Sequence, residues 1–235
     1  MFNPVPRIAT IPILPGQDCL VIDDALLDPE RWVALAAEHC EAFEPSPHNA
    51  YPGVELRMPD ALSAELDAFF ARHIRARLGA RRTLRMYSRL SMVTRAPSDL
   101  APRQWLCHRD RMEIEPGRAV AACVLYLFRD PAMGGTSFFR ARRSERETAM
   151  LVHESGVLPG PEYSAKYGIA PGYMLDSNDW FEHLVTIEPR FNRLIFYDGM
   201  LFHGGDIRHP ERLVDDPRHG RLTLNGFFTC RAAAR

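Results

Sequence analysis

His108 and Asp110 flank Arg109 in the segment WLCHRD. Residues two apart on a strand project from one face. An imidazole nitrogen and a carboxylate would therefore stand side by side, with Arg109 turned away. A further imidazole from a distant strand would complete a set of two histidines and one carboxylate. Such a set leaves open positions on Fe(II) for a chelating cosubstrate and O2. Spacing alone is weak support. With 9 His and 30 acidic residues in 235, chance places about one acidic residue two positions after a histidine. The chain has such pairs at His39/Glu41, His108/Asp110 and His209/Glu211. The first falls at the end of an amphipathic helix, where residues two apart do not share a face. The last straddles Pro210 in a polar loop. Only His108/Asp110 stands at a strand-like position ahead of a buried strand. The competing reading is a surface ion pair beside Arg109 and Arg111.

The late sequence supplies the missing partners. RLIFYDGMLFHGGD reads as an apolar strand, a turn and a segment carrying His203. A lone histidine there is either a packed residue or the third ligand. In RLTLNGFFTC, alternation puts Leu222 and Leu224 on one face and Arg221, Thr223 and Asn225 on the other. That polar face either meets water or lines a cavity with Arg221 at its base. Arginine grips a carboxylate through two parallel hydrogen bonds and keeps its charge at any working pH. It suits a cosubstrate that chelates a metal at one end and carries a carboxylate at the other.

Composition narrows the classes. A chain of 235 residues, 46% hydrophobic and 25% charged, suits one globular domain and excludes collagen, long coiled coil and wholesale disorder. No apolar run is long enough for a membrane helix. The net charge of −1 offers no global field for nucleic acid or anionic membrane, so neither partner is expected. Locally the picture differs. Of 29 basic residues all but Lys166 are Arg, and Arg72, Arg75, Arg77, Arg81, Arg82, Arg85 and Arg89 form a run. That run is a solvated helix face and its turn, or a phosphate or nucleic-acid patch. The 5 cysteines are scattered without a CxxC pair, against a disulfide framework or zinc knuckle. The proline-rich start lacks the pattern of a secretory signal, so a cytoplasmic location is expected. GxGxxG, P-loop, GxSxG and HExxH patterns are absent. A Ser-His-Asp site on another fold stays open.

The elements that must position these residues run helices first, then strands. Residues 1–18 read as an extended lead-in, and Cys19 to Ile22 as a short strand. Asp28-Pro29-Glu30 opens a helix to about Phe43. Residues 44–59, with four prolines, read as loop. A second helix from Pro59-Asp60 carries Leu62, Leu66, Phe69, Phe70, Ile74 and Leu78 on one face and ends at Gly79. LRMYSRLSMVT, WLCHRD, AVAACVLYLF, GGTSFFR, RLIFYD and RLTLNGFFTC then read as strands. The expected class is α+β, mainly β, with a sandwich or barrel core. The long irregular stretch 141–183 reads as a lid or binding loop, with Tyr163, Tyr167 and Trp180 as candidate contacts.

Taken in order, several segments resemble the 2-oxoglutarate and Fe(II)-dependent dioxygenases. They are His108/Asp110, VLYLF, Gly134-Gly135-Thr136 with Phe138, RFNRLIFYDGMLFH and RLTLNGFF. The likeness is strongest to the prolyl-4-hydroxylase-like branch, whose opening strand and helix CLVIDDALLDPERWVALAAEH is similar to. It covers about residues 19–43 and 84–230. YPGVELRMP, with Tyr51 and Gly53, is similar to a small bacterial subgroup.

The resemblance implies a double-stranded β-helix (jelly-roll) core with N-terminal helices packed on the major sheet. Residues 1–235 then form one domain: 1–83 as helical support, 84–140 and 184–230 as core, 141–183 as insertion or lid. It implies His108, Asp110 and His203 as Fe(II) ligands and catalytic centre. Arg221 would bind the distal carboxylate of 2-oxoglutarate and Tyr126 would assist, with Tyr87 and Arg89 as weaker candidates. The gap from His203 to Arg221 is twice that usual in the branch, and Arg212, at half the distance, competes. Retention of Asp110 implies hydroxylation rather than halogenation. The substrate would be an amino acid, a peptidyl side chain or a small natural product, with O2 as co-reactant. The alternatives are a non-catalytic binding module on the same fold and a cupin-like metalloenzyme that does not use 2-oxoglutarate.

Overall fold

The computed structural model describes residues 1–45, 50–111 and 113–233. Its first strands, β1 (Ile8–Leu14) and β2 (Gln17–Ile22), form a hairpin. The extended lead-in is thus an edge strand of the main sheet. Helix α1 (Glu30–Glu38) follows, started by Asp28, whose Oδ1 accepts the Arg31 N–H at 3.2 Å. It stops short of Phe43 because residues Cys40–Ala42 tighten into a 3-10 turn. The stretch expected as loop over 44–59 contains β3 (Glu44–Pro45) and β4 (Gly53–Arg57), while positions 46–49 lie outside the described residues. Proline at strand ends and edges is compatible with pairing, which the loop reading overlooked. Helix α2 (Asp60–His73) begins after Pro59, and the 3-10 turn beyond it ends at left-handed Gly79.

The remaining strands are β5 (Ala80–Val93), β6 (Arg118–Tyr126), β7 (Thr136–Ala141), β8 (Phe181–Ile187), β9 (Arg193–Asp198), β10 (Phe202–Gly205) and β11 (Arg221–Ala232). They make an eight-stranded sheet of order β1-β2-β9-β6-β11-β5-β4-β3 and a three-stranded sheet of order β10-β7-β8. The pairings between these strands are antiparallel. WLCHRD is not a strand. It contributes one bridge, His108 to His203, at the free edge of β10.

Alternation divides the large sheet into two chemically different faces. Leu222, Leu224, Phe228 and Cys230 of β11 share a buried cluster with Cys123 and Leu125 of β6 and Leu90 and Met92 of β5. The Phe70 ring of α2 stacks on Phe228 at 4.1 Å, and Phe69 stacks on Phe196 of β9 at 6.2 Å. The opposite face looks toward the small sheet. There Ala122, Tyr126, Ile195 and Tyr197 meet Phe138 of β7 and Ile187 of β8 in a second cluster. Helices α3 (Glu145–Ser155) and α4 (Gly160–Tyr167) sit within the 141–183 stretch. Ser144 caps α3 in a capping box with Glu147.

Candidate metal and carboxylate site

His108 and His203 exchange two backbone hydrogen bonds, each 2.9 Å, across their bridge. Residues so paired carry side chains on one face, and the imidazole centroids lie 4.4 Å apart. The Asp110 N–H donates to the carbonyl of Gly199 at 2.9 Å, which turns its carboxylate toward the same point. Asp110 Oδ1 lies 3.9 Å from His108 Nε2 and 3.7 Å from His203 Nε2. One ligand atom from each residue falls within 4.8 Å of the others. Ligands at about 2.1 Å from a common ion stand at most roughly 4 Å apart, a limit that the two gaps from Asp110 to the imidazoles meet.

The donors are set for that task. His203 Nδ1 lies 2.8 Å from the carbonyl of Leu201. A carbonyl only accepts, so Nδ1 carries the proton and Nε2 presents its lone pair to the site. The His203 ring is held edge-to-face on Tyr197 at 4.7 Å. Asp110 is 6% exposed at its side chain, and Oδ2 has no hydrogen-bond partner among the described residues. A buried carboxylate oxygen without a donor is costly, and a cation between the three residues removes that cost. Burial holds the Asp110 carboxyl above its ordinary pKa, against the pull of His203 and Arg89. The His108 side chain is half exposed, with one side of its ring against His203. Desolvation there, with the charges of His203 and Arg89, keeps its pKa well below the ordinary histidine value.

Gly199, which spacing arguments overlooked, makes room for this carboxylate. A Cβ built there would lie 2.6 Å from Asp110 Oδ2 and 2.8 Å from Val120 Cγ1. The only sequence signal was the turn Asp198-Gly199 after an apolar strand.

Arg221 is 4% exposed. Its Nε donates to the carbonyls of Met133 (2.9 Å) and Gly134 (3.0 Å), and Nη2 to that of Gly135 (2.8 Å). These bonds use one edge of the planar fork and point the Nη1/Nη2 edge away. Among the described residues Arg221 makes no ion pair. Nη2 lies 3.7 Å from where a Cβ of Gly205 would stand. Gly205 and His203 share a face of β10, about 7 Å apart along the strand. The competitor Arg212 lies instead on the surface, 52% exposed and paired with Asp130 at 2.7 Å.

Tyr126 is fully buried and donates to Thr136 Oγ1 at 2.8 Å; burial pushes its phenol up. Half-buried Tyr51 and Tyr173 feel the Arg221 charge, and desolvation pushes the Tyr51 phenol up to about 12. Asn225 Nδ2 donates to Ser91 Oγ at 2.9 Å and to Thr223 Oγ1 at 3.1 Å. The polar side of β11 therefore faces the interior, not water. Tyr87 stacks on Phe227 at 5.0 Å, and Arg89 pairs with Glu55 at 2.8 Å. The lid aromatics sit apart from this group. Tyr163 bonds the Leu151 carbonyl, Tyr167 bonds Glu154, and Trp180 Nε1 donates to the Tyr167 carbonyl. They belong to a third cluster with Trp105, Phe139 and Phe181.

A family model described as "Family of unknown function (DUF6445)" matches residues 4–228. No curated protein matches the chain. Solved structures do. One is a non-heme alpha ketoglutarate dependent carbocyclase, SnoK from nogalamycin biosynthesis, at 14% identity and TM-score 0.52, covering 93% of this chain and 81% of that one. Another is HygX from Streptomyces hygroscopicus with nickel and 2-oxoglutarate bound, at 12% identity and TM-score 0.50, covering 92% and 83%. These likenesses establish the fold as the jelly roll of 2-oxoglutarate-dependent oxygenases.

Proposed function

We propose that this chain, which belongs to the family of unknown function DUF6445, is an Fe(II)/2-oxoglutarate-dependent dioxygenase that hydroxylates a C–H bond of a small molecule or peptidyl side chain. One observation carries the reading. A His-Asp-His set converges in a jelly roll that also holds Arg221, a buried cation without an anionic partner among the described residues. HygX, of the same fold, was solved with nickel and 2-oxoglutarate bound.

His108, Asp110 and His203 would hold the metal. When bound there with 2-oxoglutarate and O2, it supplies the oxidant that converts the cosubstrate to succinate and CO2 and places the other oxygen atom on substrate. The chain's own residues do the rest. The free edge of the Arg221 fork binds the far carboxylate of 2-oxoglutarate, which supplies the counter-ion that it lacks among the described residues. Tyr126 and Thr136 border that subsite. The Leu201 carbonyl fixes the His203 tautomer, and Gly199 leaves the Asp110 carboxylate its place. Phe138 and Tyr197 exclude water from the inner side of His203. Residues 141–183 act as the lid through their backbone and packing. Kinship with the prolyl-4-hydroxylase-like branch, Fe(II) as the resident metal, and work in a reducing cytoplasm, which suits the free cysteines, belong to the same proposal.

The test is anaerobic addition of Fe(II) and 2-oxoglutarate to metal-free protein. The expected result is the visible charge-transfer band of a 2-oxo acid chelated to Fe(II), absent in His203→Ala. Iron binding without a band would overturn the cosubstrate and favour a cupin-like enzyme. No metal binding at all would favour a binding module.

A further inference from the structure

Of the arginine run, Arg72, Arg75 and Arg77 lie on α2 and the turn after it, while Arg81, Arg82, Arg85 and Arg89 lie on β5. In register, Arg231 of β11 stands directly opposite Arg82 of β5 on one side and Arg118 of β6 on the other. Opposed residues share a face, and this is the face of Arg221, Thr223 and Asn225. Two residues inward, Thr229 stands opposite Arg85 and Val120, and Arg111 Nη2 donates to Thr229 Oγ1 at 3.4 Å. Next inward, Phe227 stands opposite Tyr87 and Ala122, and Ala122 opposite Tyr197, on which His203 packs. Five arginines therefore occupy the outer layers of the same inner face on which the metal site sits. Asp110 and Val120 crowd the same space over Gly199, so the outermost arginine row lies one side-chain step, about 7 Å, beyond the metal ligands.

Like charges directly opposite on neighbouring strands destabilise a sheet. Here three guanidinium stems stand about 5 Å apart. Among the described residues only Arg118 has an ion-pair partner, Glu115 at 3.2 Å. Arg82, Arg85, Arg111 and Arg231 are exposed, so their forks are free to converge on one ligand. A cavity of about 510 Å³ is lined by Glu44, Glu55, Arg57, Tyr87 and Arg89 among others, and Tyr87 is the residue next inward from Arg85 on this face. It has room for a small molecule beside the stacked Tyr87 and Phe227.

We propose that this row, Arg82, Arg231 and Arg118 with Arg85 and Arg111 behind it, binds a phosphate ester or diphosphate, and that the substrate is therefore a phosphorylated small molecule. The substrate assignment rests on the dioxygenase reading; the anion site itself does not. Planar forks match phosphate oxygens through paired, charge-assisted hydrogen bonds. The phosphate would neutralise the row and leave the rest of the molecule over Tyr87 and Phe227, next to the metal ligands. The row is short and the net charge of the chain is −1, which favours a compact anion over a nucleic-acid backbone.

The test is calorimetric titration of pyrophosphate into metal-free protein at low ionic strength. Wild type is expected to bind. Arg82→Glu/Arg231→Glu, with both positions exposed, is expected to lose roughly tenfold or more in affinity with an unchanged melting temperature, and Arg221→Ala to keep wild-type affinity. No binding by wild type, full binding by the double variant, or loss in Arg221→Ala would each overturn the proposal, the last by placing the anion in the inner carboxylate subsite. Tighter, equally arginine-dependent binding of a short single-stranded oligonucleotide would overturn it in favour of a macromolecular partner. The Fe(II)/2-oxoglutarate band separates the two readings: its absence in a wild type that still binds pyrophosphate sinks the dioxygenase and leaves the anion site standing.

Discussion

Gly199→Ala isolates how tightly the fold positions one ligand. The glycine backbone there is not left-handed, so alanine adopts it without torsional strain and the effect is contact alone. The added methyl would lie 2.6 Å from Asp110 Oδ2 and 2.8 Å from Val120 Cγ1. Ordinary contact needs about 3.5 Å, so the carboxylate must retreat by close to 1 Å. A functional constellation tolerates roughly 0.5 Å, and disturbing a residue that supports a ligand typically lowers metal affinity about 10–100-fold. The expected outcome is a loss of that size in Fe(II) or Co(II) affinity. Helix and sheet content should stay native, and so should pyrophosphate binding, because the arginine row does not touch Gly199. The assay is anaerobic metal titration followed by the cobalt d–d spectrum, with circular dichroism as the control for folding. Wild-type metal affinity in a folded Gly199→Ala would refute the reasoning, since it would mean that Asp110 is not held as a ligand at the place the structure gives it.

Other consequences follow from the same geometry. Arg221→Lys keeps the charge but loses the fork; 2-oxoglutarate affinity, read from the anaerobic band, should fall at least tenfold while metal stoichiometry stays unchanged. Phe70→Ala removes a fully buried ring stacked on Phe228 and should cost about 3–5 kcal/mol in urea unfolding, with residual folded protein still binding metal. Asp23 is hydrogen-bonded to Arg193 at 2.7 Å, which holds its carboxyl below the ordinary value. Its folded pKa is depressed, so its stabilisation is present above the unfolded carboxylate range and is lost as pH falls through the folded value. Asp23→Asn should therefore lower the unfolding free energy near neutral pH, by no more than about 1 kcal/mol for a pair still open to solvent, and the deficit should vanish in strong acid.

The sequence was most legible where one face of one element had to be apolar. The α2 stripe, the buried run of β6 and the alternation of β11 follow from burial, and burial is a local pattern. His108/Asp110 was legible as a pair, although the strand reading that justified it was too generous: a single bridge to His203 aligns the residues. Arg221 over Arg212 followed from alternation, and the structure shows why alternation discriminates, since one arginine is enclosed by carbonyls and the other is paired with Asp130 in a surface turn. Three things were illegible. The short strands β3 and β4 lie in a proline-rich stretch, and β4 is held by β5, whose partner residues stand more than thirty positions further along the chain. Gly199 matters through contact with a residue about ninety positions away. Tyr163, Tyr167 and Trp180 looked like ligand contacts because aromatics in a long loop serve either packing or binding, and only coordinates separate the two.

The antiparallel register also explains why the chemistry could be spread so thinly along the chain. On the inner face of β5, β6 and β11, successive layers run from the Arg82/Arg231/Arg118 row, through Thr229 and the Phe227/Tyr87 pair, to Asn225, Thr223 and finally Arg221. Each layer advances about 7 Å, and each is one residue type deep on each strand. Cations close both ends, and the candidate ligands His108, Asp110 and His203, supplied by the opposite wall, stand between them. The alternate residues of the same strands hold α2 through Leu90, Leu224 and Phe228. Stability and chemistry thus occupy opposite faces of the same three strands, so substitutions on the inner face can retune the ligand without dismantling the core. The proposed enzyme would need a ligand set that is negative at both ends. A dicarboxylate beyond the metal at Arg221 and a phosphorylated substrate at the outer arginines meet that requirement together.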